Sequence, residues 1–338
     1  MKKKAPLRSK VCADRTPEER LARLRQMQGY PLAAKVELTK ARIREWYEAW
    51  EGMVYVAFSG GKDSTVLLDI VWSVYPDVPA VFCDTKNESD GIKDFVRSLG
   101  DAVTWIYPKT TYREVVLKEG YPILSKKICM GLNRYKNTKS QVQKDLRLHG
   151  GINPTSGRKQ QRTVPKKFHH LIDAPFNVTT KCCGALKIEP FTRYEKETGR
   201  FPFVGTMADN SELRKQSYMD HGCNAFEAGT PSSRPLMFWP ESAVFEYLRV
   251  NEMETASDYG KQIQDEDGNW LFDGADRTGC VSCMLGIHME KGENRAVRMY
   301  RENREEWERI YNTPLEEGGL GQGAILDYIG GIPWKPNE

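Results

Sequence analysis

The stretch VYVAFSGGKDSTVLLDIV, residues 54–71, constrains the fold of this chain more than any other segment. An apolar run typical of a β-strand comes first, two glycines follow, and a run with helical composition begins near Lys62. Consecutive glycines let backbone amides approach an anion closely, and the N-terminus of the following helix adds positive potential. Ser59, Ser64 and Lys62 add side-chain donors. The stretch therefore predicts a strand, an anion-binding loop and a helix in direct succession.

The spacing within this loop differs from the two most familiar phosphate loops. A Walker A loop has four residues between its glycines and then Lys-Ser or Lys-Thr, whereas a dinucleotide fingerprint needs G-x-G-x-x-G after the strand. Gly60 and Gly61 are adjacent and are followed by Lys62 and Asp63, so neither pattern is met. Asp63 has two candidate roles, as the cap of the helix or as a ligand of Mg²⁺.

Apolar runs and helical patterns alternate along much of the chain. Because strands separated by helices form βαβ units, the predicted fold class is α/β: a parallel twisted sheet with helices on both faces. The predicted blocks are a basic N-terminal tail and helix at 1–50, a nucleotide-binding domain at 51–250, and a cysteine-bearing C-terminal region of helices and loops at 251–338. Strands are predicted at 53–58, 79–84, 102–107 and 201–206, and helices at 36–50, 63–75, 89–100, 110–120, 241–250 and 293–312.

Several motifs along the chain form a recognisable set. They are the loop S-G-G-K-D-S, the Asp84-Thr85 pair after a strand, KCCGALKIEPF at 181–191, VGTMADNSELRKQSY at 204–218 with Ser211 and Arg214, and PLMFWPESAVFEYL at 235–248. Together they resemble the phosphoadenosine phosphosulfate reductase family of the ATP pyrophosphatase superfamily. The resemblance covers about residues 50–290 and so most of the chain. One departure is Lys86, which stands where the family usually has a glycine.

The resemblance implies an adenine nucleotide alpha-hydrolase-like fold and a set of nucleotide-binding residues. Lys62, Asp63 and Arg214 are expected to be catalytic, and ATP with Mg²⁺ is the expected cofactor pair. An adenylyl sulfate-type nucleotide is the alternative ligand. The expected binding residues are Ser59, Gly60, Gly61, Lys62, Asp63, Ser64, Asp84, Thr85 and Ser211.

Eight cysteines in a chain without a secretory signal favour metal, redox or buried thiol roles over a disulfide framework. The pair Cys182-Cys183 and the later Cys280-x-x-Cys283 resemble the 4Fe-4S ligands of the iron-sulfur branch of the family. A zinc site and four free thiols are the alternatives. Cys223 is a rival ligand for one of the tandem pair.

The segment 126–170 carries twelve Lys or Arg residues and a single acid, Asp145. The first ten residues add five more cations and no acid. Such segregation of charge favours a polyanion-facing surface for DNA or RNA, with a solvated insertion or a small-molecule phosphate site as alternatives.

Three functions are compatible with these features. The favoured one is an ATP-dependent sulfur transferase that adenylates a nucleic acid, similar to the DNA phosphorothioation sulfurtransferase of the family, with a protein donor of sulfur or electrons. A sulfonucleotide reductase that releases sulfite is the second, although the segment after Cys283 lacks the C-terminal cysteine of that mechanism. A nucleotide-sensing module without catalysis is the third. With no membrane span or signal, the expected location is the cytoplasm.

Overall fold

The computed structural model describes residues 16–157, 159–160, 163–227, 229–290 and 293–336. The chain divides into two compact units, each assembled from separate segments. Unit 1 contains residues up to 84, 88–107 and 190–279, and unit 2 contains residues 85–87, 108–189 and 280 onward. The predicted N-terminal basic tail, residues 1–10, lies outside the described residues. None of the helices within these ranges is long and apolar enough to cross a membrane.

Unit 1 contains a sheet of six strands and a separate hairpin. The strands of the sheet are β1 (Val54–Phe58), β2 (Ala80–Cys83), β3 (Val103–Ile106), β5 (Phe201–Val204), β6 (Asn224–Ala225) and β7 (Ser232–Ser233), and the hairpin consists of β8 (Gln262–Gln264) and β9 (Trp270–Phe272). The order in the sheet is β3-β2-β1-β5-β7-β6. All neighbouring pairs are parallel except β6 and β7. Val56 at the centre of the sheet is paired with Ala80 on one side and Phe203 on the other.

Helices surround this sheet because their apolar faces have no other surface to cover. Trp46 and Leu67, for example, are fully buried in the core of unit 1. The side chain of Ser89 caps one of these helices by accepting from the N–H of Ile92. The helices are α1 (Pro17–Gln28), α2 (Leu32–Ala49), α3 (Lys62–Trp72), α4 (Asp90–Ser98), α8 (Glu189–Thr198), α9 (Glu212–His221) and α10 (Glu241–Val250). The predicted α/β class, with a mostly parallel sheet flanked by helices, is confirmed.

Unit 2 has its own apolar core, which includes Leu132, Met284 and Leu326. A short parallel pair of strands joins residues far apart in sequence, with Met284 opposite Ile123. Its elements are α5 (Tyr112–Glu119), β4 (Ile123–Leu124), α6 (Lys126–Asn137), α7 (Gln141–His149), β10 (Met284–Leu285), α11 (Arg295–Glu302), α12 (Arg304–Trp307) and α13 (Gln322–Ile329), with short 3₁₀ or π-helical turns at Lys166–Asp173, Gly184–Ile188 and Glu308–Asn312.

The units differ from the predicted contiguous blocks 51–250 and 251–338. Residues 108–189 belong to unit 2, and residues 251–279 belong to unit 1. The physical reason is that compact units follow the packing of apolar side chains, and these come from distant segments. The basic segment 126–170 also differs from a solvated loop in its first half, which forms α6 and α7.

Candidate functional site

The predicted anion loop joins β1 to α3 in unit 1 through a tight backbone turn. Gly60 has φ +69°, in the left-handed region that glycine adopts without steric penalty. A Cβ atom at this position would lie 3.0 Å from Cγ2 of Ile92. Gly61 is the N-cap of α3 and has no side chain with which to cap that helix end. The loop therefore presents a helix N-terminus without a cap from its own N-cap residue, and helix N-termini favour anions.

The two serines of the loop are bonded to each other. Their hydroxyl oxygens are 3.0 Å apart, and the Ser64 hydroxyl donates to the Gly61 carbonyl at 2.8 Å. The backbone N–H of Ser59 donates to the Ser64 hydroxyl at 3.2 Å. Ser64 is also buried. These contacts give Ser64 a part in holding the turn, and binding of a nucleotide by either serine stays a prediction.

Lys62 has its ammonium group enclosed within unit 1, with 3% of the residue exposed. Its Nζ donates to the carbonyl of Asp276 at 2.9 Å and lies 3.0 Å from Oε1 of Glu241. The rings of Phe245 and Tyr259 lie 5.9 and 5.8 Å from the same Nζ atom. The predicted catalytic lysine is thus held by protein groups from segments far along the chain.

Asp63 lies at the start of α3 without capping that helix. Its Oδ1 atom is buried and accepts no hydrogen bond within the described residues. Nζ of Lys62 lies 3.9 Å from this oxygen. Burial raises the pKa of this carboxyl, while the charge of Lys62 opposes the shift. Of the two predicted roles, the cap is not adopted. A buried carboxylate oxygen without a donor fits a magnesium ligand in chemistry.

Ser211 and Arg214 open α9, the helix that follows β5. The Ser211 hydroxyl is the N-cap and accepts from the backbone N–H of Arg214 at 3.3 Å. The Arg214 guanidinium donates to Oδ1 of Asn210 at 2.6 Å. Partial burial of that group, and then repulsion by Arg277, lower its pKa, whereas Asp63 raises it. The charge of Asp63 therefore acts on Arg214, whose catalytic role stays a prediction, while Ser211 has a capping role.

Asp84 and Thr85 follow β2 directly, and both are buried. The N–H of Asp84 donates to the carbonyl of Ile106 at 3.0 Å, which extends the pairing of β2 with β3. Because β1 and β2 are parallel neighbours, the end of β2 lies at the same edge of the sheet as the anion loop. Lys86 has φ +60°, so it occupies the backbone conformation that favours the glycine expected there.

Sequence patterns missed several residues that contact the loop. The Tyr259 hydroxyl accepts from the backbone N–H of Lys62 at 3.0 Å and lies 3.0 Å from Oγ1 of Thr278. Gly205, directly after β5, approaches so closely that a Cβ atom would lie 2.9 Å from Cα of Ser64. The glycine after a buried strand was a detectable signal. Nothing in the sequence marked Tyr259 or Thr278, because both lie about two hundred residues from the loop along the chain.

Residues 53–114 match the family model of the phosphoadenosine phosphosulfate reductase domain. The matched range includes β1, the anion loop and β2. This match is confined to the segment from β1 to the start of α5. The family predicted from its motifs is thereby confirmed.

Two curated proteins of Methanocaldococcus jannaschii are similar to this reductase-family chain. Uncharacterized protein MJ0066 is 23% identical over 289 residues, which are 84% of this chain and 46% of that protein. Uncharacterized protein MJ0973 is 22% identical over 290 residues, which are 84% of this chain and 53% of that protein. The chain therefore spans about half the length of the curated relatives that it matches.

A crystal structure of phosphoadenylyl-sulfate (PAPS) reductase from Candida auris, as a phosphate complex, is also similar to this chain. The identity is 16%, the match covers 77% of this chain and 93% of that one, and the TM-score is 0.33. The fold assignment depends on the observed strand order and not on this likeness.

The four cysteines predicted as metal ligands of the reductase-family chain all lie in unit 2. Cys182 and Cys183 directly precede a short π-helical turn. Cys280 and Cys283 form a turn of their own, closed by the N–H of Cys283 donating to the carbonyl of Cys280 at 3.1 Å. Burial, and then the charges of Cys283, Cys182 and Cys280, raise the pKa of Tyr112. Members of both pairs thus act electrostatically on one buried tyrosine.

The tandem cysteines act on each other's ionisation. A hydrogen bond from the Cys182 thiol lowers the pKa of Cys183 to about 5, with support from the charges of Lys126 and Lys187. The same bond, together with burial, raises the pKa of Cys182. The lowered pKa favours the thiolate form of Cys183, which is the form in which cysteine binds metals. Its role as a ligand stays a prediction.

Four thiols and no other donor type are the ligands that a 4Fe-4S cluster takes. In the part of the chain that the structure describes, no three Cys, His, Asp or Glu side chains are placed to hold one metal ion. A structural zinc site would need its sulfurs at about 2.3 Å from a single point. The donor set therefore fits the cluster in kind, and the choice between a cluster and zinc stays a prediction.

The Cys280–Cys283 turn is held by polar groups from other parts of unit 2. The Asn87 carbonyl oxygen accepts from the N–H of Val281 at 2.7 Å, and its side chain accepts from the Ser282 hydroxyl at 2.8 Å. Gln322, fully buried, donates to the Ser282 carbonyl at 2.7 Å. Arg295 donates to the Cys283 carbonyl at 3.1 Å.

The remaining cysteines have a different character. Cys129 is fully buried, its thiol donates to the carbonyl of Thr179 at 3.0 Å, and burial raises its pKa to about 11. Cys223, the predicted rival ligand, belongs to the apolar core of unit 1. Cys83 is buried at the end of β2, and Cys12 lies outside the described residues. A thiol with a raised pKa is a weak nucleophile at neutral pH, so Cys129 is poorly suited to a reductase mechanism.

The basic segment 126–170 is largely open to solvent where the structure describes it. Arg158 and Arg162 lie outside the described residues. Arg147 is buried, and Lys136 donates to the carbonyls of Ala174 and Phe176 at 2.9 Å each. The exposed cations are Lys126, Lys127, Arg134, Lys139, Lys159, Lys166 and Lys167.

Proposed function

We propose that this chain is an ATP pyrophosphatase-type sulfur transferase that adenylates a nucleic acid before sulfur insertion and acts in the cytoplasm. The observation that carries the proposal is the chemistry of the β1–α3 loop. The N-terminus of α3, a lysine and a buried carboxylate oxygen without a donor at Asp63 occur together there. This combination suits a magnesium-bound polyphosphate better than it suits a neutral ligand.

In the proposed reaction, an oxygen of the nucleic acid attacks the α-phosphorus of ATP. The bond from that phosphorus to the bridging oxygen breaks, and pyrophosphate leaves with the electron pair. Hydrosulfide, or a persulfide from a donor protein, then attacks the activated atom, and AMP leaves with the original oxygen. If a persulfide attacks, a thiol afterwards cleaves its S–S bond. Adenylation makes the oxygen a good leaving group, which accounts for the use of ATP.

The residues of unit 1 divide this work between them. The loop amides and Arg214 hold the phosphates, and Asp63 binds Mg²⁺, which neutralises charge on the leaving pyrophosphate when bound. Lys62 turns from Glu241 and Asp276 toward the phosphates when nucleotide binds. Preorganised positive charge at a developing anion is a large source of rate acceleration.

Cys182, Cys183, Cys280 and Cys283 are the proposed ligands of a 4Fe-4S cluster. Such a cluster supplies electron transfer or a site for binding sulfide when present. The exposed lysines of α6 and of the segment after α7 are the proposed contacts with nucleic acid phosphates, because such contacts are electrostatic and independent of sequence.

Nucleotide sensing without catalysis is the second candidate, and one observation favours it. The Lys62 ammonium is engaged by Glu241 and by the Asp276 carbonyl and is almost fully buried. A lysine that stayed in this position would not act on a leaving group. Tight nucleotide binding with no turnover would then be the only activity of the loop.

The test is to purify the protein without oxygen, measure iron and sulfide, and incubate it with α-³²P-labelled ATP. We expect AMP and pyrophosphate rather than ADP, with AMP formation stimulated by DNA or tRNA. If the rate of AMP formation did not change when nucleic acid is added, nucleic acid would be excluded as the substrate. ATP binding with no product favours sensing, whereas sulfite release from adenylyl sulfate or its 3′-phosphate with a thiol would favour a reductase.

A further inference from the structure

Three strands of unit 1 place basic residues at one edge of the sheet. β1, β5 and β7 are parallel neighbours, so the segments that follow them start at the same edge. The anion loop follows β1, the segment with Arg214 follows β5, and Arg234 follows β7 directly. Neither Arg234 nor Arg277 belongs to the motifs that mark the family domain.

Arg234 lies on the face of α9 that also carries Arg214. Its Nη1 donates to the hydroxyl of Ser217 at 2.5 Å. Residues three apart on a helix are neighbours on one face, so Ser217 and Arg214 are adjacent. The charge of Arg234 acts on Arg214 in the same direction as that of Arg277.

Arg277 is held beside the loop by both of its neighbours in sequence. The carbonyl of Asp276 accepts from Nζ of Lys62 at 2.9 Å. Oγ1 of Thr278 would lie 3.2 Å from a Cβ atom on Gly61, and it lies 3.0 Å from the Tyr259 hydroxyl. Arg277 itself is exposed, and its charge acts on both Asp63 and Arg214.

Arg234 and Arg277 therefore each repel Arg214, and all three follow or lie beside elements at the loop edge of the sheet. Arginine does not lose its proton in proteins, so this repulsion is not relieved by deprotonation. Asp63 is the carboxylate that acts on Arg214 and Arg277, and it carries one charge at most. Like charges gathered at a strand edge are typical of a site for a multiply charged anion. Guanidinium groups bind phosphate oxygens in pairs.

We propose that Arg214, Arg234 and Arg277 bind the terminal phosphates of a nucleoside triphosphate, and that Arg234 and Arg277 make the site prefer triphosphate over monophosphate. This inference rests on the proposed function only in taking the loop as the nucleotide site. The loop contacts the phosphates from the side of β1 and α3, the strand ends bind the nucleoside, and Arg234 and Arg277 contact only the groups that leave as pyrophosphate.

The test compares the full chain with Arg277→Gln, Arg234→Gln and the charge-preserving Arg277→Lys by calorimetry. The ligands are α,β-methylene ATP with Mg²⁺, AMP, and inorganic pyrophosphate. Each Gln variant is expected to lose about tenfold to a hundredfold in affinity for the triphosphate and for pyrophosphate, because a charge-assisted hydrogen bond is removed. Affinity for AMP is expected to stay within about twofold of the unchanged protein. Arg277→Lys should recover part of the loss.

Arg97→Gln is the matched control, since Arg97 is an exposed arginine of unit 1 bonded to Asp94. It should bind all three ligands as the unchanged protein does. An equal loss of affinity for AMP and for the triphosphate would overturn the inference. Unchanged affinity for the triphosphate in both Gln variants would also overturn it. If one Gln variant fails to fold, the other and Arg277→Lys decide the question.

The outcome also separates this inference from the proposed function. Selective loss of triphosphate binding in a protein that never forms AMP would support the arginine site and refute the transferase. AMP formation by a protein whose Arg277→Gln and Arg234→Gln variants bind triphosphate normally would do the reverse.

Discussion

The anion loop of unit 1 and the Cys280–Cys283 turn of unit 2 are both short turns with functional candidates, yet they are held in different ways. The backbone turn of the loop is formed by its own residues, through Gly60 and the bonds of Ser64, while Tyr259 and Gly205 pack against it from distant segments. The cysteine turn is held from far along the chain by Asn87 and Gln322. A site with local shape can be identified from a motif, whereas a site with remote supports depends on the packing of the whole unit.

The strongest test of whether the two sites are independent is to remove both thiols of the cysteine turn. In Cys280→Ser with Cys283→Ser, iron is expected to fall at least about tenfold, because thiolate ligands are lost. Affinity for magnesium ATP should stay within about twofold, since the loop belongs to a separate core. Iron analysis and calorimetry measure the two effects. Cys223→Ser is the control and should keep its iron; a parallel loss of ATP binding in the double variant would contradict independent sites.

Asp63→Asn tests the loop alone. Loss of a magnesium ligand is expected to slow AMP formation by about a hundredfold or more. The melting temperature should stay the same or rise, because a buried carboxylate oxygen without a donor is replaced by a neutral amide. Asp94→Asn, on an exposed carboxylate of α4, is the matched control. If Asp63→Asn forms AMP at an unchanged rate, the Asp63 carboxylate has no role in the reaction.

Gly205→Ala tests how much of the loop depends on β5. A Cβ atom 2.9 Å from Cα of Ser64 would force the backbone apart, so we expect a loss of about 2–3 kcal/mol in the free energy of unfolding. Nucleotide affinity should fall as well. Urea unfolding measures the stability. Gly229→Ala meets no atom within 4 Å and should change stability by less than about 0.5 kcal/mol. Equal effects in both variants would mean that the close approach does not matter.

Gln322→Leu tests the remote support of the cysteine turn. The buried Ser282 carbonyl would lose its donor, and we expect a loss of about 1–2 kcal/mol in stability together with weaker retention of iron. Gln141→Leu, on an exposed glutamine of the same unit, should leave both unchanged. Full iron retention after unfolding stability has fallen would show that the turn does not need this contact.

Lys86→Gly has the smallest expected effect. Glycine relieves the left-handed conformation of Lys86 but adds freedom to the unfolded chain, and we expect a net gain of about 0.5–1 kcal/mol in stability. Chemical unfolding of the two proteins measures the difference. A loss of stability would mean that the contacts of the Lys86 side chain outweigh the strain of its backbone.

Much of the fold of unit 1 could be predicted because its signals are local. The strand at Val54–Phe58, the helix beginning at Lys62 and the strand at Ala80–Cys83 follow from apolar runs and from two glycines. Helices α6 and α7 were less apparent, since frequent lysines obscure their short apolar faces. The burial of Arg147 within a basic segment had no local signal at all.

The residues of the candidate site also differ in whether their signals are local or depend on distant contacts. The loop residues and the four cysteines could be selected from spacing and resemblance alone. The partners of Lys62, which are Glu241 and Asp276, could not, because both contacts join segments about two hundred residues apart. The capping role of Ser211 was also missed, although a serine three residues before Arg214 at the start of a helix is a recognised cap signal.

By itself, the sequence determined a strand, a turn and a helix around adjacent glycines, and it predicted four thiols as metal ligands. Short-range sterics and the periodicity of apolar residues are sufficient for such elements. Only the tertiary structure decided that both cysteine pairs share unit 2, that Lys62 is enclosed, and that Arg277 lies beside the loop. The reason is that these contacts join distant segments, and which segments meet is set by the burial of apolar surface in two separate cores.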